Sequence, residues 1–122
     1  MPVKKILIID DEEHTCHTLK KGIEMKTTIQ VLTATEGKEG VHLAKTQKPD
    51  LILLDIMMPD MAGTEVAEKL SEDPVTSSIP IIFVTATVKE DEVRGRNGVA
   101  DGRIFMAKPV IIDELIKKIN AI

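Results

Sequence analysis

The chain has 122 residues, the size of one ordinary domain, and we expect it to form a single domain. Its formal net charge of −4, with two Phe and no Trp or Tyr, argues against direct nucleic-acid binding through phosphate contacts or base stacking. A single cysteine excludes an internal disulfide and fits a reducing cytoplasm, and no apolar run or signal-peptide pattern predicts membrane insertion or export.

Short apolar runs alternate with amphipathic segments along the whole chain. Three unbroken apolar runs, at residues 6–9, 51–54 and 81–84, are typical of strands buried on both faces of a parallel sheet. Residues 29–34 are more mixed and residues 104–106 are short. We therefore place these two strands nearer the edges of the sheet.

Helices are predicted between the strands, where apolar residues recur at helical spacing. These stripes are Cys16, Leu19 and Ile23 in the first helix, Val66 and Leu70 in the third, and Ile112, Leu115, Ile116 and Ile119 in the last. The fourth helix, about residues 89–98, is the weakest, because Gly95 and Gly98 favour an early end although Thr87 and Glu90 would form a capping box.

Five strands and five helices in strict alternation predict a (βα)5 fold in the α/β class. Right-handed crossovers then require an open, doubly wound, five-stranded parallel sheet. In such a sheet a functional site lies at the carboxyl ends of the strands, where the strand order reverses.

Polar residues stand at the carboxyl ends of four predicted strands. Asp10 and Asp11 follow the first strand, Asp55 the third, Thr85 ends the fourth and Lys108 follows the fifth. Three neighbouring carboxylates repel one another, and a hard divalent cation such as Mg²⁺ would neutralise them. Such a metal also bridges phosphate oxygens, while Lys108 adds positive charge and Thr85 a hydroxyl. Asp55, alone after its strand, is a candidate nucleophile that forms an aspartyl phosphate.

Each of these residues also has an ordinary structural explanation. An aspartate after a strand is often a turn former or a helix cap, and Asp11 would favour the positive end of the first helix without any ligand. Lys108 begins a common Lys-Pro loop, and Thr85 is also compatible with a simple strand residue. Only the joint placement of the group at one rim favours a functional site.

At this point the sequence resembles the response-regulator receiver domains (CheY-like) of two-component signalling, over essentially the whole chain. The strongest match is residues 49–63, PDLILLDIMMPDMAG, which resemble the segment around the family's phosphoacceptor aspartate. Residues 8–12 resemble its acidic metal pocket, residues 83–86 its switch threonine with a small neighbour, and residues 105–109 its switch aromatic and lysine. The resemblance implies the flavodoxin-like topology with strand order 2-1-3-4-5.

The resemblance also implies a role for each residue of the acidic pocket. Asp55 would accept a phosphoryl group from the phosphohistidine of a sensor histidine kinase or a phosphotransfer protein. Asp11 would bind Mg²⁺ (Mn²⁺ is also compatible) directly, Asp10 largely through water and Met57 through its backbone carbonyl, with Asp55 completing the set.

A second group of residues would carry the switch. Lys108 would pair with Asp55 or its phosphate, Thr85 with its small neighbour Ala86 would move toward the phosphoryl group, and Phe105 would move inward behind it. The residues that would shape the site are Pro59, Gly63 and Pro109, the last in a cis Lys-Pro bond. A population shift would then change the face formed by the fourth helix, fifth strand and fifth helix, and so the binding of a downstream protein.

Some positions differ from the family's common pattern. Residues 100–103 read Ala-Asp-Gly-Arg where many members have a Gly-Ala turn, and Phe105 has no hydroxyl where many members have Tyr. Met57 and Thr87 occupy the positions two residues beyond Asp55 and Thr85, which in this family influence hydrolysis of the acyl phosphate. Because Met57 cannot orient a water molecule, we predict slow autodephosphorylation.

Other candidate ligands near the site are given a simpler interpretation. His14, Cys16 and His17 do not share one helical face and have no suitably spaced partners, so we predict two solvated histidines and a buried thiol. The methionines that cluster beside the predicted site are Met57, Met58 and Met61. Adaptable packing is the first explanation for them, and a partner-binding patch is the second.

Three alternative functions stand beside the phosphoacceptor. An interaction module that works without phosphorylation would keep the same residues. A Mg²⁺-dependent aspartyl-phosphate phosphohydrolase usually has a second acid where this chain has Met57, and a flavin-binding domain would not place the run Asp-Asp-Glu-Glu in its phosphate loop. We therefore expect a cytoplasmic signalling domain rather than an enzyme, either a stand-alone regulator or the N-terminal part of a larger protein.

Overall fold

The structure, a computed structural model, describes residues 3–85, 99–100 and 103–122. The described strands are β1 (Lys5–Ile9), β2 (Gln30–Ala34), β3 (Leu51–Asp55), β4 (Ile81–Thr85), β5 (Val99–Ala100) and β6 (Arg103–Ala107). The described helices are α1 (Glu13–Lys26), α2 (Gly37–Gln47), α3 (Gly63–Glu72) and α4 (Ile112–Asn120). The fourth helix predicted from the sequence, with Thr87 and Glu90 at its start, lies outside the described residues, so α4 is the helix predicted as the last.

The strands form one sheet in the order β2-β1-β3-β4-β6-β5. All neighbours from β2 to β6 are parallel, which confirms the predicted doubly wound sheet and its 2-1-3-4-5 order. Beyond the five predicted strands, the structure adds one short strand at the edge of the sheet, the two-residue β5, which pairs antiparallel with β6. Two residues are too few to produce a recognisable strand pattern. The strand that the sequence predicts near that edge is β6, and β5 is its outer neighbour in the sheet.

Strands β1 and β3 are buried on both faces, which explains their unbroken apolar sequences. Side chains on one face pack with α1 and α4 in a cluster that includes Ile6, Ile8, Leu51, Leu53, Ile23 and Leu115. Side chains on the other face pack with α2 and α3 in a cluster that includes Leu7, Ile9, Ile52, Leu54, Ala44 and Leu70. The alternation of strand residues between two clusters fixes the sheet as the middle layer of three.

The predicted helical stripes face these clusters. The stripe residues that are buried are Cys16, Leu19, Ile23, Val66, Leu70, Leu115 and Ile119. Ile112 lies so close to α1 that a Cβ at Gly22 would be 2.8 Å from its Cδ1, and Lys26 of α1 pairs with Asp113 of α4 at 2.5 Å. No helix among the described residues is both long enough and apolar enough to cross a membrane.

Candidate functional site

The carboxyl ends of β1, β3, β4 and β6 meet at one rim of the sheet, because these strands are parallel neighbours. Asp10 follows β1, Asp55 ends β3, Thr85 ends β4 and Lys108 follows β6. The rim includes the gap between β1 and β3, where the strand order reverses and where open α/β sheets bind ligands. The topology therefore gathers residues that are far apart in the chain.

Three carboxylates form an acidic pocket at this rim. One oxygen each of Asp10, Asp11 and Asp55 lies within 4.8 Å of the other two. Asp10 and Asp55 are only 3% and 5% exposed, whereas Asp11 is open to solvent. Buried carboxylates this close repel one another, and an all-oxygen pocket with one side open to water suits a hard divalent cation.

Lys108 provides the positive charge inside the pocket. Its Nζ lies 2.9 Å from Oδ2 of Asp10, 3.5 Å from Oδ2 of Asp55 and 3.4 Å from Oε1 of Glu12. Burial opposes the charged form of Lys108, but the hydrogen bond and charge of Asp10 and the charge of Asp55 outweigh it and raise the pKa of this lysine. Lys108 is therefore a permanent cation at neutral pH.

The Asp55 carboxylate is held by both of its oxygens. Oδ1 accepts the backbone N–H of Met57 at 3.3 Å, and Oδ2 faces Lys108. Burial, and then the charge of Asp10, raise the pKa of Asp55 to about 6, against the opposite effects of Lys108 and the Met57 amide. Asp55 is thus largely ionised at neutral pH and chemically able to act as a nucleophile.

The loop that follows β3 is closed by Gly63. The N–H of Gly63 donates to the carbonyl oxygen of Ile56 at 2.7 Å. A Cβ at Gly63 would lie 2.7 Å from the Cα of Ile56 and would collide with the carbonyl oxygen of Asp55. Glycine is needed here because the first turn of α3 packs directly on the backbone that carries Asp55.

The three methionines of this loop have different environments. Met58 is buried in the core cluster below α2 and α3, and Met61 packs partly against the same cluster. Met57 is 66% exposed beside the acidic pocket, and Pro59 is also exposed. The packing explanation is therefore confirmed for Met58 and Met61, while the Met57 side chain projects into solvent.

Thr85 and the Lys108–Pro109 bond lie at the carboxyl ends of β4 and β6, the strands that follow β3 in the sheet order. Thr85 is fully buried, and its carbonyl oxygen accepts the backbone N–H of Lys108 at 3.1 Å. The Lys108–Pro109 peptide bond is cis, as the family resemblance implies. Ala86 lies outside the described residues.

Phe105 is partly buried and stacks on Phe83 of the neighbouring strand. The two ring centroids are 5.2 Å apart and the ring planes differ by 24°. The two residues are direct partners in the register of β4 and β6. The sequence analysis did not predict this contact, although Phe83 and Phe105 hold equivalent positions on two adjacent strands. It also did not predict the Glu12–Lys108 ion pair, for which the acidic run after β1 is the signal in the sequence.

The transition-metal interpretation of α1 is excluded by position. His14 and His17 are exposed, whereas Cys16 is buried with its Sγ 3.3 Å from the carbonyl oxygen of Asp10. Burial raises the pKa of the Cys16 thiol to about 11. In the described part of the chain, the acidic pocket is the only group of three or more potential ligands that share one place.

Comparison with known proteins agrees with this architecture. The sequence profile of the family described as "Response regulator receiver domain" matches residues 6–120. The chain is 42% identical over 120 residues to Protein PilH of Pseudomonas aeruginosa, covering 97% of this chain and 96% of that protein. It is 38% identical to the transcriptional regulatory protein PhoP of Bacillus subtilis, of which it spans 48%, or about half the length.

A solved structure of similar shape is the CheY-like response regulator receiver domain protein of Methanospirillum hungatei. It has a TM-score of 0.79 and 32% sequence identity, with 98% of this chain and 92% of that chain covered. Shape, sequence and the site at the rim of the sheet lead to one conclusion: this chain belongs to the response-regulator receiver domains of two-component signalling.

Proposed function

We propose that the 122 residues form one cytoplasmic receiver domain in which Asp55 accepts a phosphoryl group from the phosphohistidine of a sensor histidine kinase or a phosphotransfer protein. The observation that carries this proposal is a buried Asp55 that shares one pocket with Asp10, Asp11 and Lys108. The domain acts by changing its protein partners and not by turning over a separate substrate.

The proposed transfer needs one nucleophile and several groups that stabilise charge. A carboxylate oxygen of Asp55 forms a bond to phosphorus, the bond between phosphorus and the partner's imidazole nitrogen breaks, and its electron pair stays on that nitrogen. Lys108 is 3.5 Å from Asp55 and would bind the transferred phosphoryl oxygens. The Thr85 hydroxyl, at the end of the neighbouring strand, would bind another of these oxygens.

Asp10, Asp11 and Asp55, with the backbone carbonyl of Met57, would hold Mg²⁺ or Mn²⁺. The donor set fits such a hard cation, because it consists of oxygens and carries three negative charges against the single positive charge of Lys108. The exposure of Asp11 leaves room for the water molecules that Mg²⁺ retains. A cation held by these residues would supply positive charge that stabilises the phosphoryl group during transfer.

The output of the proposed switch starts at Thr85 and Phe105. Engagement of the Thr85 hydroxyl by a phosphoryl group would draw the end of β4 toward the pocket. Phe105, which packs on Phe83 of β4, would move with it and change the surface around β6 and α4. A downstream protein would recognise that surface.

Intact-mass measurement after incubation with acetyl phosphate and Mg²⁺ tests the proposal. The expected result is one phosphoryl adduct on the native chain, absent from Asp55→Asn and absent when the divalent cation is chelated. An equal adduct on the variant would place the phosphorylation elsewhere. A native chain that takes up no phosphoryl group, from acetyl phosphate or from a phosphohistidine donor, would favour the phosphorylation-independent interaction module.

A further inference from the structure

The loop between β3 and α3, residues 56–62, is attached to α2 as well as to its own strand. Oδ2 of Asp60 accepts the backbone N–H of Gly37, the first residue of α2, at 2.9 Å. The helix's own N-cap residue, Glu36, makes no side-chain capping hydrogen bond. A carboxylate from a different loop thus satisfies an N-terminal amide of α2, where negative charge is also favourable.

Packing keeps the two segments together at the same point. Gly37 is buried, and a Cβ there would lie 2.9 Å from Cβ of Met61 and 3.1 Å from Cγ2 of Val66. Met61, the residue after Asp60, therefore packs closely against the start of α2, which Asp60 caps. We call the hydrogen bond and this packing contact together the Asp60–Gly37 clamp.

The clamp holds the same loop whose Met57 amide donates to Asp55 in the acidic pocket. The start of the loop is held by two hydrogen bonds. The N–H of Met57 donates to the Asp55 carboxylate, and the N–H of Gly63, just after the loop, donates to the carbonyl oxygen of Ile56. Asp60 stands only three residues after Met57, whose carbonyl is one of the proposed cation ligands. Release of the clamp would free the middle of the loop and allow that carbonyl to change direction.

We propose that Asp60 is a positioning residue for the phosphoryl-transfer site. Its hydrogen bond to Gly37 holds the loop so that the Met57 carbonyl and the Asp55 carboxylate face the same cation, without Asp60 itself touching the cation. The inference rests on the proposed function, because it assigns Asp60 a part in cation binding and phosphorylation at that same pocket.

The test compares Asp60→Ala and Asp60→Asn with the native chain. Phosphorylation from acetyl phosphate is followed by intact mass over a range of Mg²⁺ concentrations, and Mg²⁺ binding is measured separately by calorimetry. Asp60→Ala should raise the half-saturating Mg²⁺ concentration and the Mg²⁺ dissociation constant roughly three- to tenfold, with the rate at saturating Mg²⁺ changed by less than about twofold. Asp60→Asn, whose amide oxygen still accepts the Gly37 N–H, should stay within about twofold of the native chain in both measurements.

Asp73→Ala is the matched control. Oδ1 of Asp73 accepts the N–H of Val75 at 2.9 Å, so this variant also removes a carboxylate–backbone bond, but just beyond the end of α3 that is remote from the pocket. It should leave Mg²⁺ dependence unchanged, while urea unfolding reports any loss of stability in each variant.

The outcomes separate this inference from the function on which it rests. An Asp60→Ala variant with native Mg²⁺ binding, or one matched by Asp73→Ala, would overturn the positioning role. An equal loss of Mg²⁺ affinity in Asp60→Ala and Asp60→Asn would assign the effect to the charge of Asp60 and not to its hydrogen bond. That result would also overturn the positioning role. If the native chain binds Mg²⁺ but is not phosphorylated, the proposed function fails while calorimetry on the Asp60 variants still decides the clamp. If it does neither, both proposals are overturned.

Discussion

Replacing Asp55 by Asn should stabilise the fold at neutral pH when no divalent cation is present. Burial and the neighbouring Asp10 raise the pKa of Asp55 from 3.8 to about 6. Between these two pH values the folded protein retains a proton that the unfolded chain has released. The free energy of unfolding therefore falls as the pH rises through this window, and the full destabilisation is present above it.

The size of the effect follows from the same pKa. Raising the pKa of Asp55 from 3.8 to about 6 corresponds, at ~1.4 kcal/mol for each pKa unit, to about 3 kcal/mol of destabilisation at neutral pH. Asn keeps an oxygen for the Met57 amide but loses the attraction to Lys108, so the net gain should be about 1–3 kcal/mol. The side chain is 6% exposed, so solvent screens little of this effect.

Urea denaturation followed by far-ultraviolet circular dichroism measures the gain, since the chain has no Trp or Tyr to report by fluorescence. The free energies of unfolding of the native chain and Asp55→Asn should differ at about pH 7 and converge as the pH falls below 3.8, where Asp55 becomes neutral in the unfolded chain as well as in the folded one. Added Mg²⁺ should stabilise the native chain and so reduce the difference in the free energy of unfolding between the native chain and Asp55→Asn. Asp73→Asn is the control of opposite sign, because the Val75 amide lowers the pKa of Asp73. If Asp55→Asn gives no gain in the free energy of unfolding at neutral pH, or an equally large gain in acid, the electrostatic reasoning is refuted.

Three other outcomes are expected. The phosphorylated chain should persist longer than minutes in Mg²⁺, because the exposed Met57 cannot orient a water; Met57→Gln should shorten that lifetime, and a native lifetime of seconds would contradict the prediction. Gly63→Ala should destabilise by about 2 kcal/mol or more in urea because its Cβ meets rigid backbone, whereas Gly22→Ala should cost less because its Cβ meets the mobile end of Ile112; equal losses would contradict this contrast. Cys16 should resist iodoacetamide near neutral pH until the protein unfolds, since its pKa is about 11 and its side chain is buried, and stoichiometric labelling of the folded chain would show otherwise.

The parts of the structure that could be predicted from the sequence are those that depend on local patterns. Residues 6–9 and 51–54 are apolar without interruption because both faces of β1 and β3 are covered, so their burial was predictable from these local runs. Asp10, Asp55 and Lys108 were predictable as neighbours because parallel topology brings the carboxyl ends of strands to one rim.

The features that were missed depend on contacts between distant segments. β5 is two residues long and exists through its pairing with β6, so it has no local pattern. The bond from Gly37 to Asp60 and the pairing of Glu12 with Lys108 join positions 23 and 96 residues apart. Their geometry is set by how loops pack on the finished sheet, which periodicity does not encode.

The stacked rings of Phe83 and Phe105 have a practical consequence for spectroscopy. These two residues are the only aromatic side chains among Phe, Trp and Tyr in the whole sequence, and they touch each other at the junction of β4 and β6. A fluorinated phenylalanine incorporated throughout the protein would therefore yield two resonances, both from that one junction. Both fluorine resonances would therefore report on the conformation of the β4–β6 junction, where the proposed switch responds to an aspartyl phosphate, and no other phenylalanine would contribute a signal.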